Sequence, residues 1–148
     1  MTAPIVTLAA AVVTGLNSPV STTWSQTFTA ARTYRIRRNL ENLGADTWYV
    51  DVVMADETSE ILSRAATQDD AEIDIAIHKK CNPDALAEVD PILNLQDEFK
   101  SYWLRRRPAA SSTQTCIGAE KRQLWVPRQQ EGDRTCTSVL RLTFRLFE

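Results

Sequence analysis

The sequence predicts a single α+β domain, with a mostly antiparallel β-sheet and an N-terminal helix and one main helix packed on one face. The length of 148 residues suits one domain, which can bury roughly two-thirds of its unfolded surface. Several segments alternate apolar and polar residues with period two, as strands with one buried face do. The strands are not each followed by a helix, which argues against a doubly wound parallel sheet.

The N-terminal segment 5–13 (IVTLAAAVV) is apolar and predicts a short amphipathic helix that ends near Gly15 or Asn17. It differs from a signal peptide because no basic residue precedes it, the first being Arg32. It is also shorter than the roughly 20 residues that a membrane helix needs. We therefore expect a soluble protein that is not exported.

Three strands are predicted before the main helix. Alternation is visible in Gln26–Ile36, Thr47–Ala55 and Glu72–Lys80, whereas residues 56–66 give no clear pattern. A turn-like stretch, Asn39–Gly44, separates the first two strands.

Apolar residues after Asp84 recur at steps of three and four and predict the main helix. A proline inside a helix costs about 3 kcal/mol. We therefore expect Asp90 at the N-cap and Pro91 at the first helical position. The helix is expected to reach Arg107, where consecutive arginines meet the negative end of the helix dipole and Pro108 stops it.

The C-terminal part predicts a β-hairpin. Thr115–Val126 ends at Pro127, and Arg128–Arg134 reads as a polar turn. The last strand, from Cys136 to Leu146, is apolar on one parity and carries Thr and Arg on the other, so we expect that second face to meet water or a partner. The predicted domain 1–148 thus comprises an N-terminal helix and loop (1–25), strands (26–81), a helical segment (84–107) and the hairpin (114–147).

Residues that could carry chemistry are few. His78 is the only histidine, which excludes multi-histidine metal sites and most triads, and its polar parity predicts a solvated strand residue. The acidic residues at 69, 70, 72 and 74 lack EF-hand spacing and predict a solvated turn leading into a strand. We expect no enzyme activity, no catalytic residue, no cofactor and no metal.

The cysteines are three in number and widely separated, at Cys81, Cys116 and Cys136. None has CxxC spacing, so neither a zinc site nor a disulfide framework is indicated. The expected state is three reduced thiols.

The net charge of −2 gives no overall attraction for nucleic acid. Arginines nevertheless cluster within 32–38 and 105–107. The plain interpretation is solubility and helix-end electrostatics; the alternative is a patch for an acidic protein partner or for DNA backbone.

Three segments resemble a known family: IDIAIHKKC (Ile73–Cys81), DPILNLQDEFKSYWLRRR (Asp90–Arg107) and RQLWVPRQQEGDRTCTSVLRLTFRLF (Arg122–Phe147). Over Phe28 to Phe147 the chain resembles the tail terminator proteins of long-tailed bacteriophages, also called tail completion or neck proteins. It has Cys136 where the family ending often has Phe, and Phe144 where it often has Tyr.

The resemblance implies a non-enzymatic virion protein of the tail or neck, assembled in the host cytoplasm. Similar proteins form a ring, usually of six subunits, that caps the tail tube, ends its polymerisation and joins it to the head connector. The implied partners are copies of itself, the tube protein and the connector or neck proteins, with non-specific DNA contact in the lumen and no membrane. The candidate interface or lumen residues are Arg32, Arg35, Arg37, Arg38, Arg105, Arg106, Arg107, Arg141 and Arg145.

Three alternatives remain open. One is another neck or head-completion adaptor of the phage, and another is a small intracellular domain whose sheet and helix enclose a ligand. The least favoured is an enzyme that uses carboxylates alone.

Overall fold

The chain folds into two helices and a five-stranded sheet within the residues that the computed structural model describes, which are 4–20, 22–34, 47–80, 86–108, 115–130 and 133–147. The elements in chain order are α1 (Pro4–Asn17), β1 (Phe28–Thr33), β2 (Trp48–Ser63), β3 (Ala66–Lys80), α2 (Leu86–Trp103), β4 (Thr115–Gln130) and β5 (Asp133–Phe147). The α+β fold is confirmed, and α1 ends at Asn17, one of its two expected positions.

The sheet has the strand order β1-β2-β3-β5-β4. All neighbours pair antiparallel except β1 and β2, which run parallel from Phe28↔Trp48 to Thr33↔Val53. The mostly antiparallel sheet is therefore confirmed. The parallel pair was not indicated, since alternation along a strand carries no information about the direction of its neighbour.

Both helices cover the same face of the sheet. On that face, alternate residues of β3 (Ile73, Ile75 and Ile77) are fully buried. Helix α1 contributes an apolar stripe at three- and four-residue spacing, as does α2, and the stripes meet in one core. The main fully buried side chains of these stripes are Leu8, Val12, Leu16, Ile92, Leu95, Phe99 and Trp103.

Helix α2 differs from the prediction at both ends. It begins at Leu86, so Pro91 lies inside it rather than at its first position. The additional N-terminal turn buries Val89, which offsets the hydrogen bond that Pro91 cannot donate.

The C-terminal end of α2 lies at Trp103, before the arginines rather than after them. Arg105 has a left-handed φ of 66°, and its backbone N–H donates to the Cys116 carbonyl at 2.9 Å. The Cys116 N–H in turn donates to the Arg106 carbonyl at 3.1 Å. Backbone pairing with β4 therefore draws this segment out of the helix.

Strands β2 and β3 form a hairpin that is longer than predicted. Residues 56–66, which gave no pattern, pair across it from Asp56↔Glu72 to Ser63↔Ala66. β1 pairs with β2 only as far as Val53, so the hairpin of β2 and β3 extends beyond the end of β1. We call Asp56–Ala71, with its Arg64–Ala65 turn, the arm.

The predicted polar turn between β4 and β5 is shorter than expected. β4 continues through Pro127 to Gln130, and β5 begins at Asp133. Pro127 pairs in register with Cys136, and a proline is tolerated there because β4 is an edge strand.

Candidate functional site

The edge formed by β1 is short and partly closed. Asn17, at the end of α1, accepts a hydrogen bond from the Ala30 N–H through Oδ1 at 2.8 Å. Its Nδ2 donates to the Ala30 carbonyl at 3.1 Å. One side-chain amide thus takes the place of a neighbouring strand at the middle of β1, which limits strand addition there.

The opposite edge, formed by β4, is distorted. Its pairing with β5 shifts register between Cys116 and Gly118, between Lys121 and Gln123, and between Gln123 and Val126. Such bulges twist an edge away from flat pairing. Pro127 also has no N–H to offer a new strand.

The arm provides a third edge, along the outer side of β2 from Asp56 to Ser63; we call this segment the arm edge. No strand in the described part of the chain pairs with it on that side. It contains neither Gly nor Pro, and it exposes two apolar side chains, Ile61 at 80% and Leu62 at 49%. Register shifts lie at both ends of the segment, but Asp56–Ile61 pair with β3 in unbroken register. Exposed strand edges of this kind accept other strands.

Two of the predicted site arginines, on β5, are held in ion pairs with β3. Arg141 donates from Nε and Nη2 to both carboxylate oxygens of Asp74 at 2.8 and 3.0 Å. Arg145 binds Asp70 in the same two-point manner, also at 2.8 and 3.0 Å. Glu72 lies 3.1 Å from Arg141 Nη1. Their positive charge is therefore matched within the sheet, which argues against a role in attracting DNA.

These ion pairs also correct the interpretation of the acidic cluster as a solvated turn. Asp70, Glu72 and Asp74 lie within β3, facing β5. The hydrogen bonds that Arg145 donates lower the pKa of Asp70, and those that Arg141 donates to Asp74 raise the pKa of Arg141. The cluster is part of the sheet's own electrostatic pairing.

The remaining predicted arginines that the structure describes lie on two elements, on β1 and directly after α2. Arg32 is exposed on β1, with its guanidinium 5.4 Å from the centre of the Tyr34 ring. Arg106 lies 3.9 Å above the Tyr102 ring and donates to the Tyr102 carbonyl, whereas Arg105 and Arg107 are exposed. The predicted residues at 35, 37 and 38 lie outside the described residues.

His78 is fully buried, so the prediction of a solvated histidine is wrong. Its Nδ1 makes a 2.9 Å hydrogen bond with Thr137 Oγ1, and its Nε2 lies 3.2 Å from Asp51 Oδ2. Asp51 and Thr137 are only 1% and 4% exposed. This face of the sheet is therefore closed to water around Thr137, whereas we expected it to meet water or a partner along β5.

The Asp51–His78–Thr137 cluster has the residue types of a nucleophile, a base and an orienting acid. A substrate must, however, come within about 3 Å of the nucleophile. All three side chains are closed to solvent, so the arrangement holds three strands together but offers no access to a substrate.

The cysteines differ from the expectation of three reduced thiols. Cys136 is disulfide-bonded, whereas Cys116 is free and buried. Sheet register places Cys136 opposite Lys79, near the end of β3. Spacing along the sequence does not reveal this pairing. Burial raises the pKa of the Cys116 thiol to about 11, which leaves it unreactive at neutral pH. Cys81 lies outside the described residues.

A groove of about 490 Å³ lies between the segment after α1 and helix α2. Trp24 and Tyr102 form its aromatic part, with ring centres 5.1 Å apart. Asp97 and Glu98 line it as well. Glu98 accepts hydrogen bonds from the backbone N–H and the hydroxyl of Ser25, which fix the loop against the helix.

Among the residues with described positions, no cluster of three or more His, Cys, Asp or Glu side chains is placed to hold a metal ion. In that same part of the chain, neither helix is both long and apolar enough to cross a membrane.

Sequence reasoning missed the arm, the buried His78 cluster and the groove. The arm edge is exposed on both faces, so its residues show no alternation. The His78 cluster joins residues from three strands, and only the pairing of His78 with Thr137 reveals it. Comparison with known proteins adds no family, since no protein-family model and no curated protein matches the chain.

Proposed function

We propose that the protein is a structural virion component, a subunit of a ring that caps a phage tail tube, ends its polymerisation and joins the tail to the head connector. The observation that carries the proposal is the arm edge, which exposes two apolar side chains and which no strand in the described part of the chain pairs with on its outer side. A protein that works by assembly needs such a surface, because unpaired backbone groups and apolar side chains favour contact with another chain.

The contrast among the three edges supports this proposal. Asn17 closes the middle of β1, and bulges distort β4. If the monomer were the working form, we would expect protection along the whole arm edge. Its register shifts lie only at its two ends, and Asp56–Ile61 pair with β3 without a break. Its exposed Ile61 and Leu62 instead mark it as a contact surface.

The sealed polar cluster supports the same proposal from the opposite side. Asp51, His78 and Thr137 stabilise the sheet rather than contact other molecules, since each is closed to solvent. The only histidine of the chain is thereby committed to the interior. In the described part of the chain, the features that remain accessible to other molecules include the arm edge and the groove.

The test is to interrupt the gene in the phage that carries it and to image the particles by electron microscopy. We expect full heads without attached tails, and tail tubes of uncontrolled length. Supplying the wild-type chain from a plasmid should restore tails of uniform length. Normal tails without the protein, or its absence from purified wild-type particles, would contradict the proposal.

The position of a labelled chain separates a terminator from another neck adaptor. A terminator lies at the head-proximal end of tubes that have no head. An adaptor that belongs to the head instead remains on tail-less heads.

The groove favours one second candidate, a ligand-binding domain. Arg106 also lines the groove and lies over the Tyr102 ring, so a small organic cation would replace its guanidinium there, beside Trp24 and the two carboxylates. Arginine amide is a suitable probe. Binding predicts a saturable change in tryptophan fluorescence that is lost in Asp97→Ala, and a flat titration would exclude this candidate for that cation.

A further inference from the structure

The arm edge has a counterpart at the same level on the other side of the sheet. In register, Thr58 pairs with Asp70, Asp70 with Arg145, and Arg145 with Thr115. This row crosses β2, β3, β5 and β4 in turn. The start of β4 therefore lies directly across the sheet from the arm edge.

The start of β4 is bordered by the residues that follow α2. Arg105 and Arg106 pair with Cys116 through their backbones, and Arg105 holds a left-handed φ of 66° that a non-glycine residue rarely adopts. Arg105 is exposed, as are Leu104 at 36% and Ile117 at 46%. We call Leu104, Arg105 and Ile117 the basic corner.

The two surfaces are complementary in charge and in apolar character. The arm edge carries exposed carboxylates at Asp56, Glu57 and Glu60, next to Ile61 and Leu62. The basic corner combines an exposed arginine with two exposed apolar side chains. Two arm edges would instead bring like charges together, which disfavours a symmetric contact between identical edges.

We infer that the arm edge of one copy docks on the basic corner of the next copy. The contact is heterologous, because two different patches meet, and the patches lie on opposite edges of one sheet. Repetition of such a contact closes a ring when the rotation between copies divides a full turn, and builds an open filament when it does not. The inference rests on the proposed function and names the partner of the arm edge as a second copy of this chain.

A charge exchange tests the contact. Glu57→Arg and Arg105→Glu, made separately in the full chain, should each weaken self-association on the order of tenfold, because each sets like charges together. An equal mixture of the two variants should restore it, since the altered arm meets the altered corner and the native arm meets the native corner. Sedimentation velocity measures the assembly, and native mass spectrometry should find rings with alternating copies.

Asp90→Arg is the matched control for Glu57→Arg. Asp90 is an exposed carboxylate on α2 that belongs to neither surface, so its reversal should leave assembly at the wild-type level. If the purified wild-type chain stays monomeric, the same variants and mixture are scored by incorporation into tails.

Wild-type assembly in both single variants would overturn the inference while leaving the proposed function intact. Loss of tube binding with normal self-association in Glu57→Arg would also overturn it, by making the tube protein the occupant of the arm edge. A chain that assembles as inferred but is absent from particles would contradict the proposed function alone. A wild-type chain that neither self-associates nor enters tails would overturn both.

Discussion

At the scale of single residues, the buried cluster of Asp51, His78 and Thr137 places a carboxylate inside the sheet, at a cost in free energy. Burying a carboxylate is costly unless polar neighbours compensate for the water that it loses. His78 lies between the other two side chains, at 2.9 Å from Thr137 and 3.2 Å from Asp51. It therefore connects β2, β3 and β5 at one point.

Replacing His78 with Leu should lower the free energy of unfolding by about 2–4 kcal/mol, because the Asp51 carboxylate stays buried without the imidazole. Thr137→Val, which removes only one hydroxyl, should cost about 1 kcal/mol. Urea denaturation measures both. Equal losses in the two variants would show that the contact between His78 and Asp51 contributes nothing.

The Asp70–Arg145 pair should make stability depend on acid. Because Arg145 lowers the pKa of Asp70, the folded chain holds that proton less tightly than the unfolded chain. The stabilisation is complete above the unfolded pKa of about 4 and is lost as the pH falls through the lower, folded pKa. Asp70→Asn should therefore be less stable at neutral pH and should lose less stability on acidification.

Asp97→Asn is the comparison for that variant. The pKa of Asp97 is also lowered, by Lys121, but through one hydrogen bond at 2.9 Å and with a more exposed carboxylate. Its effect on the acid limb of the unfolding curve should be smaller. A larger effect in Asp97→Asn than in Asp70→Asn would contradict the ranking.

At the scale of elements, the two helices meet at one close approach. A Cβ added to Gly15 in α1 would lie 2.6 Å and 2.7 Å from ring carbons of Trp103 in α2. Trp103 is 1% exposed, so its ring has little room to move. Glycine at this position lets α1 pack closely against α2.

Gly15→Ala should destabilise the fold by about 1–3 kcal/mol, although alanine gains about 1 kcal/mol in helix propensity. Gly118→Ala is the matched control, because nothing lies within 4 Å of the added Cβ. Thermal unfolding measures both variants. A Gly15→Ala variant that is more stable than the wild type would show that the helices can separate without cost.

The elements that could be predicted are those with one buried face. Ile73, Ile75 and Ile77 alternate with more polar residues and mark β3 from sequence alone. Residues 56–63 are exposed on both sides, so nothing in their order distinguishes a strand from a loop. Pro91 misled the prediction of α2 because the burial of Val89 depends on tertiary packing, which local propensity does not contain.

The candidate site was harder to predict than the fold. Arg141 and Arg145 are on the expected face of β5, but their bidentate partners lie more than sixty residues earlier in the chain, on β3. The exposure of Arg105 depends on the early end of α2 at Trp103. Edges and corners arise from the order of strands, and periodicity along one strand does not encode that order.

At the scale of the whole molecule, protection should decrease from the centre of the sheet to the arm. β3 lies between β2 and β5 and contains the most continuous run of buried residues. The arm edge has a neighbour on one side only, within the part of the chain that is described. Regions with few buried contacts open at lower free energy.

Hydrogen exchange followed by mass spectrometry should therefore find Ile73–Ile77 among the last segments to exchange and Asp56–Ile61 among the first in the sheet. In assembled rings, exchange in Asp56–Ile61 should slow while the centre of β3 stays unchanged. A uniform rate across β2 would show that the arm edge is as well protected as the core.

The side-chain amide of Asn17 has a consequence for how the protein ages. Asparagine followed by serine, as at Asn17–Ser18, is open to hydrolysis of the amide to a carboxylate. The product would lose the donor to the Ala30 carbonyl and set a negative charge against that oxygen. In stored protein the outer edge of β1 would then become open to added strands. Slow aggregation would accompany a mass gain at this single position.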